Sequence, residues 1–313
     1  MSVVGELNSL RRPKGAKKGE KEESPDNKAG YLFLAPWLIG LFLITIGPML
    51  ASLYLSFTDY NLIQPPEWIG LDNFHRMLGD SRLLNSLKVT FTYVFVSVPL
   101  QLALALLIAL VLDRGMRGLA FYRSVFYLPS LLGSSVAIAI LWRQIFGTSG
   151  LVNQVLGHLG VQSPPGWISN PDTALSTIIL LHVWTFGSPM IIFLAGLRQI
   201  PRMYYEAAEV DGAGTLTRFS KITLPLLSPI IFFNLVLQII GAFQSFTQAF
   251  IVSGGSGGPS DSTMFYTLYL YQKGFGQFDM GYASALAWLL LVIIAAFTVI
   301  NFIAAKYWVF YDD

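Results

Sequence analysis

The sequence predicts an all-α protein, a polytopic membrane helical bundle with six transmembrane helices and a further short helix on the cytoplasmic side. Of its 313 residues, 54% are hydrophobic and 12% are charged, which is far from the composition of a soluble domain. Lys and Arg are also divided unevenly between the loops, as they are in membrane proteins. Each of six apolar runs is long enough to cross a bilayer, which takes about 20 helical residues, and the runs lie near 32–57, 87–112, 122–146, 173–197, 226–252 and 280–305.

The chain divides into a polar tail and one membrane domain. Residues 1–30 are rich in Lys, Arg, Glu, Gly and Pro and hold few large apolar side chains, so we expect a disordered cytoplasmic tail. The apolar run that follows is too long for the core of a signal peptide and has no small-residue cleavage site. It is therefore predicted to be an uncleaved first span, and 31–313 to be a six-helix transmembrane domain.

The basic residues predict the orientation of the chain. Fifteen of the 20 Lys and Arg residues fall in the tail, in the loops 113–120 and 198–225, at Arg123 just after the first of these loops, or near the C-terminus. With the seven in the tail set aside, the bias is still eight to five. Because cytoplasmic loops carry the excess of positive charge, both termini and these two loops are predicted to be cytoplasmic.

Several function classes are disfavoured by composition. A net charge of +2 gives no reason to expect a nucleic-acid partner, and the absence of cysteine excludes disulfides and thiolate sites. His75, His158 and His182 are far apart in sequence, without a paired ligand spacing, so no metal site is expected. None of the six runs has an Asp or Glu in its interior, which argues against a proton relay or a carboxylate cation site.

Neither a hydrolase motif nor a nucleotide-binding motif is predicted to function in this chain. Residues 254–258 formally match the Gly-x-Ser-x-Gly hydrolase pattern, but they follow an apolar run with no strand before them and are predicted to form an outer turn. The phosphate-binding pattern Gly-x-x-x-x-Gly-Lys-Ser/Thr is absent from the sequence. No catalytic residue is predicted, and if ATP is used, another chain binds it.

The polar loop 198–225 predicts a helix, a turn and a second helix. Pro201 suits the first position of a helix, where its missing N–H costs nothing, and Gly212 suits the left-handed turn that ends it. Thr215 or Thr217 is predicted to cap a second short helix that ends near 224–225. Since the small side chains of Ala207 and Ala208 and the carboxylate of Glu206 lie on the first helix, the loop is suited to docking against a basic partner.

One pattern in this loop is specific. It reads Glu206-Ala207-Ala208, three residues, Gly212, nine residues, then Ile-x-Leu-Pro. It resembles the EAA motif of the cytoplasmic coupling loop in binding-protein-dependent ABC importer permeases, which seats in a cleft of the ATPase subunit. The other interpretation is an ordinary amphipathic linker helix. The resemblance implies an ATPase-coupling set of Glu206, Ala207, Ala208, Asp211, Gly212, Ile222, Leu224 and Pro225.

Other segments resemble the carbohydrate importers within that family. The outer segment 68–74, predicted to form a short interfacial helix, contains Gly-Leu-x-Asn-Phe. Arg123 with Tyr127-Leu128-Pro129, and the loop through Pro164-Pro165-Gly166-Trp167, are similar to maltose-type and glycerol-phosphate-type permeases. The resemblance covers about 31–310, so that only the polar tail falls outside it.

A candidate substrate path lies in the fifth run. Polar or small residues recur there at a spacing of three or four, which would place them on one helix face, and they are Asn234, Gln238, Gly241, Ser245 and Gln248. Trp184 and Trp288 are candidates for stacking on a sugar. Hydrogen-bonding groups beside aromatic rings suit a neutral polyhydroxylated cargo, but the same polar groups can instead join helices by interhelical hydrogen bonds.

The resemblance implies an assembly in the bacterial inner membrane. This chain would be one of two unlike permease subunits that form a heterodimer, surrounded by membrane lipid. An ATPase dimer would bind ATP and Mg, and an extracytoplasmic binding protein would deliver an oligosaccharide, a disaccharide or a related polyol. The permease itself would hold no cofactor or metal and would be no enzyme. The alternatives are an ion-coupled secondary transporter and a membrane-embedded enzyme, and both predict ionisable residues at membrane depth.

Overall fold

The computed structural model describes residues 27–115 and 117–310, with side chains from Tyr31 onward. Almost every regular element in that part is a helix, and a short hairpin pairs β1 Thr58–Asp59 antiparallel with β2 Glu67–Trp68. The α-helices are α1 Asn27–Gly40, α2 Gly47–Leu55, α3 Asp72–Gly79, α4 Ser81–Asp113, α5 Leu119–Leu132, α6 Val136–Ile145, α7 Leu151–His158, α8 Pro171–Trp184, α9 Gly187–Leu197, α10 Arg202–Val210, α11 Thr215–Arg218, α12 Leu224–Phe243, α13 Thr247–Val252, α14 Tyr266–Tyr271 and α15 Met280–Trp308.

The six predicted apolar runs are confirmed as membrane-length helical segments, but they are not all straight. Four are single helices long and apolar enough to cross a membrane, Tyr31–Leu55, Ser81–Asp113, Thr215–Phe243 and Met280–Trp308. The other two are bent pairs: α5 and α6 meet at 96°, and α8 and α9 meet at 41°. The runs 122–146 and 173–197 are therefore bent, and each bend lies beside an internal proline, Pro129 or Pro189.

The first unit of the chain, through Ala51, contains α1 and most of α2 joined by a π-helical turn, Leu41–Ile46. The N–H of Gly47 donates to the carbonyl of Phe42, five residues back. The widened turn directly precedes Pro48, which has no N–H and whose ring crowds the preceding carbonyls. Helix α1 begins at Asn27, inside the predicted tail, and residues 1–26 of that tail lie outside the described part.

The second unit is built on α4. This helix packs against α8, α9, α12 and α14, and α12 packs in turn against α9 and α15. Ala105 and Ala109 on α4 are fully buried, and small side chains let neighbouring helix backbones come close in membrane bundles. At the α9 and α12 contact, a Cβ on Gly196 would fall 2.2 Å from Cδ1 of Ile230, so the two helices touch where only glycine fits.

The short helix predicted near 68–74 is present but lies later in the chain, because Trp68 pairs in β2 and α3 begins at Asp72. Asn73 at the start of α3 is buried, and its Nδ2 donates to the carbonyls of Ser56 at 3.0 Å and Thr58 at 2.9 Å. These bonds satisfy two carbonyls, one in the turn after α2 and one in β1. The segment 56–80 is consequently an ordered structure that precedes α4 rather than an irregular loop.

Candidate functional site

Helix α10 in the loop 198–225 begins after Pro201 and ends in a left-handed turn at Gly212. Pro201 is the N-cap, so the helix starts one residue later than predicted. Gly212 has φ +76°, and the predicted stop is confirmed. Its N–H donates to the carbonyl of Glu209 at 3.0 Å, while the N–H of Ala213 donates to the carbonyl of Ala208 at 2.8 Å. This pair of bonds is a Schellman motif, which satisfies the last carbonyls of the helix.

An apolar stripe is exposed on this loop. Met203, Ala207 and Val210 share one face of α10, and Met203 is 66% exposed and Val210 89% exposed. Leu216 at the start of the next helix is 80% exposed. Ala208 is half-buried and so lies beside the stripe rather than in it. Large apolar side chains that are exposed together in a polar loop are typical of an interaction surface.

The carboxylates of α10 have different surroundings. Glu206 is exposed, forms no ion pair in the described part of the chain, and lines a cavity of about 580 Å³ with Arg198 and the ends of α4 and α9. Glu209 instead accepts from Arg218 at 3.2 Å, an ion pair that the sequence did not suggest. Asp211 is exposed at the C-cap. Of these three, Glu206 is the one that combines exposure, freedom from an ion pair and a place in a cavity.

The second half of the loop differs from the prediction. Neither Thr215 nor Thr217 caps it, because Gly214 is the N-cap and no side chain bonds there. The helix also does not stop near 224–225: it passes through a π-helical turn, Phe219–Thr223, and continues to residue 243. A widened turn lets the chain pass a proline, and Pro225 lies just beyond it.

The remaining predicted coupling residues lie on this continuous helix. Ile222 and Pro225 are half-buried and line a cavity of about 310 Å³, whereas Leu224 is 40% exposed. The Tyr205 hydroxyl of α10 and the Thr223 hydroxyl are 2.9 Å apart and share a hydrogen bond. Helix α10 is thus joined both by the chain and by this bond to the span that follows.

The five predicted path residues do not share one helix face. Helix α12 ends before residue 244, so Ser245 and Gln248 lie beyond a break from Asn234, Gln238 and Gly241. Asn234 is buried, and its Nδ2 donates to the carbonyl of its own helix four residues back, at 3.0 Å. Gln238 is half-buried and Gly241 is exposed. The prediction failed because it extended helical spacing through a segment that is not helical.

Three consecutive spans are interrupted, and we call the residues 133–135, 185–186 and 244–246 the break layer. Gln248 donates from Nε2 to the carbonyl of Gly133 at 3.2 Å, which ties the third break to the first. A Cβ on Gly133 would fall 2.1 Å from Cγ2 of Thr185, so the first and second breaks touch. The outer pieces α6 and α13 pack together, as do the inner pieces α5 and α9.

The bond network of the break layer explains the bend at Thr185. Pro189 has no N–H to give the carbonyl of Thr185, four residues back. That carbonyl accepts instead from Ser130 Oγ at 2.8 Å and from Gln101 Nε2 at 3.1 Å. Gln101 is buried on α4 and also donates to the carbonyl of His182 at 3.1 Å. Sequence reasoning missed Gln101, although an amide in an apolar run was a usable signal.

The predicted tryptophans lie in different surroundings. Trp184 is half-buried at the end of α8, with its ring centroid 5.9 Å from that of Trp142. Trp142 donates from Nε1 to the carbonyl of Thr177 at 2.9 Å. Trp288 is half-buried on α15 and belongs to no aromatic pair within the described ranges. Of the two tryptophans, only Trp184 lies next to the break layer, because it directly precedes residues 185–186.

A carboxylate network joins the starts of α4 and α15. Asp80 caps α4 through its side chain and also accepts from the hydroxyls of Tyr269 and Tyr282, the latter at 2.7 Å. Burial alone would raise the pKa of Asp80, but these bonds, the backbone N–H of Leu83 and the nearby Lys273 hold the pKa below its usual value. The network fixes the ends of the two spans to each other.

Residues 77–308 match the family described as "Binding-protein-dependent transport system inner membrane component". The probable ABC transporter permease protein YesP of Bacillus subtilis is 55% identical over 299 residues, which is 95% of this chain and 97% of that protein. The trehalose/maltose transport system permease protein MalF of Thermococcus litoralis is 34% identical over 277 residues, covering 87% and 92%. A chain in the crystal structure of a bacterial alginate ABC transporter, in complex with its alginate pentasaccharide-bound periplasmic protein, superposes with a TM-score of 0.77 at 20% identity, covering 90% and 94%, and so shares the fold.

Proposed function

The chain belongs to the family of binding-protein-dependent transport system inner membrane components, and from that premise we propose that it is the permease subunit of an ATP-driven importer that carries a sugar. The carbohydrate cargo is supported by the sugars in the name of a relative that is 34% identical over most of both chains. An oligosaccharide, a disaccharide or a related polyol fits the hydrogen-bonding groups without buried carboxylates along the fifth span.

The observation that carries the coupling role is the exposed apolar stripe of α10, with a fixed stop at Gly212. In our proposal the stripe seats in a cleft of an ATPase subunit, and Glu206 meets a basic residue at its rim. Two copies of the ATPase bind ATP and Mg, and this chain performs no covalent chemistry. The supporting features are that Met203 and Val210 are exposed on one face and that Tyr205 joins α10 to the next span.

The partners and the orientation follow from the same proposal. A second, homologous permease subunit completes the pathway as a heterodimer, and an extracytoplasmic binding protein delivers the cargo to the opposite face. The tail, the loops 113–120 and 198–225 and the C-terminus face the cytoplasm. A single cysteine at exposed His158, in a chain that has none, tests this orientation. Reaction with an impermeant maleimide only after the inner membrane is permeabilised would contradict it.

In this mechanism the break layer is where the path opens and closes. Closure of the ATPase dimer would move α10 and the continuous helix behind it, and the inner pieces α5, α9 and α12 would shift against the outer pieces α6, α8 and α13. Ser245 and Gln248 lie at that boundary and are the better candidates for cargo contact. Asn234 is buried and bonded within its own helix, so it is assigned a packing role rather than contact with cargo.

Ion-coupled transport is the alternative, and one experiment separates the two. The purified chain, its sister subunit and the ATPase are reconstituted in vesicles with the binding protein and radiolabelled sugars. We expect uptake that needs ATP and the ATPase and that persists when ionophores remove all ion gradients. Uptake by the permease alone, driven by a proton or sodium gradient, would overturn the proposal.

A further inference from the structure

A groove of about 550 Å³ separates the end of α4 from the start of the helix Thr215–Phe243. This volume lies within the range of about 300–1,000 Å³ that is usual for sites of small ligands. One wall carries Leu107 and Leu110 of α4, and the other carries Leu216 and Phe219. On each helix these residues are three positions apart, so each wall is a single apolar helix face.

The groove walls are exposed although they are apolar. Leu107 is 60% exposed and Leu216 is 80% exposed, whereas Ala109 on the opposite face of α4 is fully buried. The polar atoms nearby need no ligand of their own, because the hydroxyls of Tyr205 and Thr223 bond to each other at 2.9 Å. An apolar occupant would therefore remove hydrocarbon from contact with solvent without leaving a buried polar group unpaired.

Two arginines lie at one end of the groove. Arg114 is exposed and forms no ion pair in the described part of the chain. Arg218 bonds Glu209 through Nη1 at 3.2 Å, which leaves its other N–H groups free for a second acceptor. The planar guanidinium group suits phosphate oxygens, so this end of the groove favours an anion.

The groove lies where a transmembrane helix leaves the membrane. The candidate span in α4 ends at Asp113, and Leu110 is three residues earlier, about 4.5 Å along the axis. Arg114 is the next residue after the span. Leu107 and Leu110 are then level with lipid chains and Arg114 is level with lipid head groups. The residues that line the groove from the loop 198–225 are Leu216, Arg218 and Phe219. Basic pockets between helices on the cytoplasmic side are known to bind anionic head groups.

We propose that this groove holds one anionic phospholipid of the cytoplasmic leaflet. An acyl chain lies between Leu107, Leu110 and Phe219, and the phosphate binds Arg114 and Arg218. Because Tyr205 of α10 lines the same groove, a bound lipid ties the coupling helix to α4. The inference takes its cytoplasmic orientation from the proposed function, but lipid binding can be counted without measuring transport.

The test counts lipids on the purified full-length chain by native mass spectrometry. Dioleoyl phosphatidylglycerol and dioleoyl phosphatidylcholine are added in turn, so that only the head group differs. We expect one retained phosphatidylglycerol in preference to phosphatidylcholine. Arg114→Gln should weaken its binding about fivefold, and Arg117→Gln, an exposed arginine outside the groove, should leave it unchanged.

A second part of the test fills the groove with a larger side chain. Leu110→Trp should abolish binding of the specific lipid while the chain stays monodisperse. If the Leu110→Trp variant does not fold, Leu107→Gln, at the more exposed position of the same wall, is used in its place. Equal retention of the two lipids, or equal effects of Arg114→Gln and Arg117→Gln, would overturn the proposal. So would displacement by inorganic phosphate alone. Loss of the lipid on assembly with the ATPase and sister subunit would show instead that the groove is a protein interface.

Discussion

Gly212→Val tests the proposed coupling role of α10 at the point where its helix ends. Gly212 has φ +76°, a region that β-branched residues avoid, and its N–H and that of Ala213 make the two bonds of the Schellman motif. A Cβ at this position would meet nothing within 4 Å. The penalty therefore arises from backbone conformation alone and not from a steric clash.

The size of the effect follows from that geometry. A left-handed conformation costs an L-residue roughly 1–2 kcal/mol, and a difference of that size changes a population by a factor of about 5–30. The turn would open, and the stripe of α10 would lose its fixed position relative to the next helix. Gly212→Asn should be milder, because Asn tolerates the left-handed region. Gly214→Ala is the matched control, since Gly214 has an extended φ of −69° and open space around it.

The assay is ATP hydrolysis by the purified importer with and without sugar-loaded binding protein. In Gly212→Val we expect basal hydrolysis to persist, retention of the ATPase to weaken and stimulation by the binding protein to disappear. Gly212→Asn should keep part of the stimulation and Gly214→Ala all of it. Stimulated hydrolysis at the unmodified rate in Gly212→Val would refute the reasoning that this turn holds the transmission element.

Three further outcomes are expected. Gly133→Ala should stop sugar uptake in vesicles because its Cβ would fall 2.1 Å from Cγ2 of Thr185. Adding Thr185→Ser, which removes that methyl group, should restore part of the uptake, and full uptake in the single variant would contradict the packing of the breaks. Gln238→Leu should lower uptake per assembled complex, since a bound sugar would lose a hydrogen bond worth about 1–3 kcal/mol; failed copurification of the subunits would instead assign the side chain to helix packing. The pKa of Asp80 is lower in the folded chain than its ordinary 3.8, so its carboxylate stabilises the fold above that value and this contribution is lost as pH falls through the lower folded pKa. Asp80→Asn should lower the thermal unfolding midpoint at neutral pH and reduce its decline in acid, and an unchanged decline would count against the network.

The features that sequence reasoning predicted correctly depend either on a few neighbouring residues or on hydropathy summed over a long run. The stop at Gly212 depends on one residue that tolerates positive φ, and the spans depend on summed hydropathy over about 20 residues. The helix near 68–74 was indicated by a short run of turn residues and aromatics. None of these needs knowledge of a distant contact. Each was therefore available from the order of the residues alone.

The breaks depend on contacts between distant residues. Residues 244–246 of the run 226–252 are Gln, Ser and Phe, and the polar side chain of Ser245 was interpreted as part of one face of a continuous helix although the helix stops there. The bend at Thr185 is stable because Gln101, from a different span, supplies the donor that Pro189 lacks. Two signals were present, the proline itself and the pair Ser134-Ser135, of which the second serine caps α6. Neither signal indicates which carbonyl the partner side chain will reach.

The uninterrupted helix from Thr215 to Phe243 has a mechanical consequence. Its 29 residues make a rod of about 44 Å with one end in the docking loop and the other at the break layer. Backbone hydrogen bonds continue along it except at Pro225 and Pro229, which have no N–H, so a movement of the loop can be transmitted to the far end as a rotation or tilt of the helix. The irregular places along this rod are the π-helical turn at Phe219–Thr223 and the two prolines, and all of them lie at or before its midpoint. Flexibility is therefore concentrated in the half nearer the docking loop, and the movement is passed on at the far end, where the helix meets the break layer.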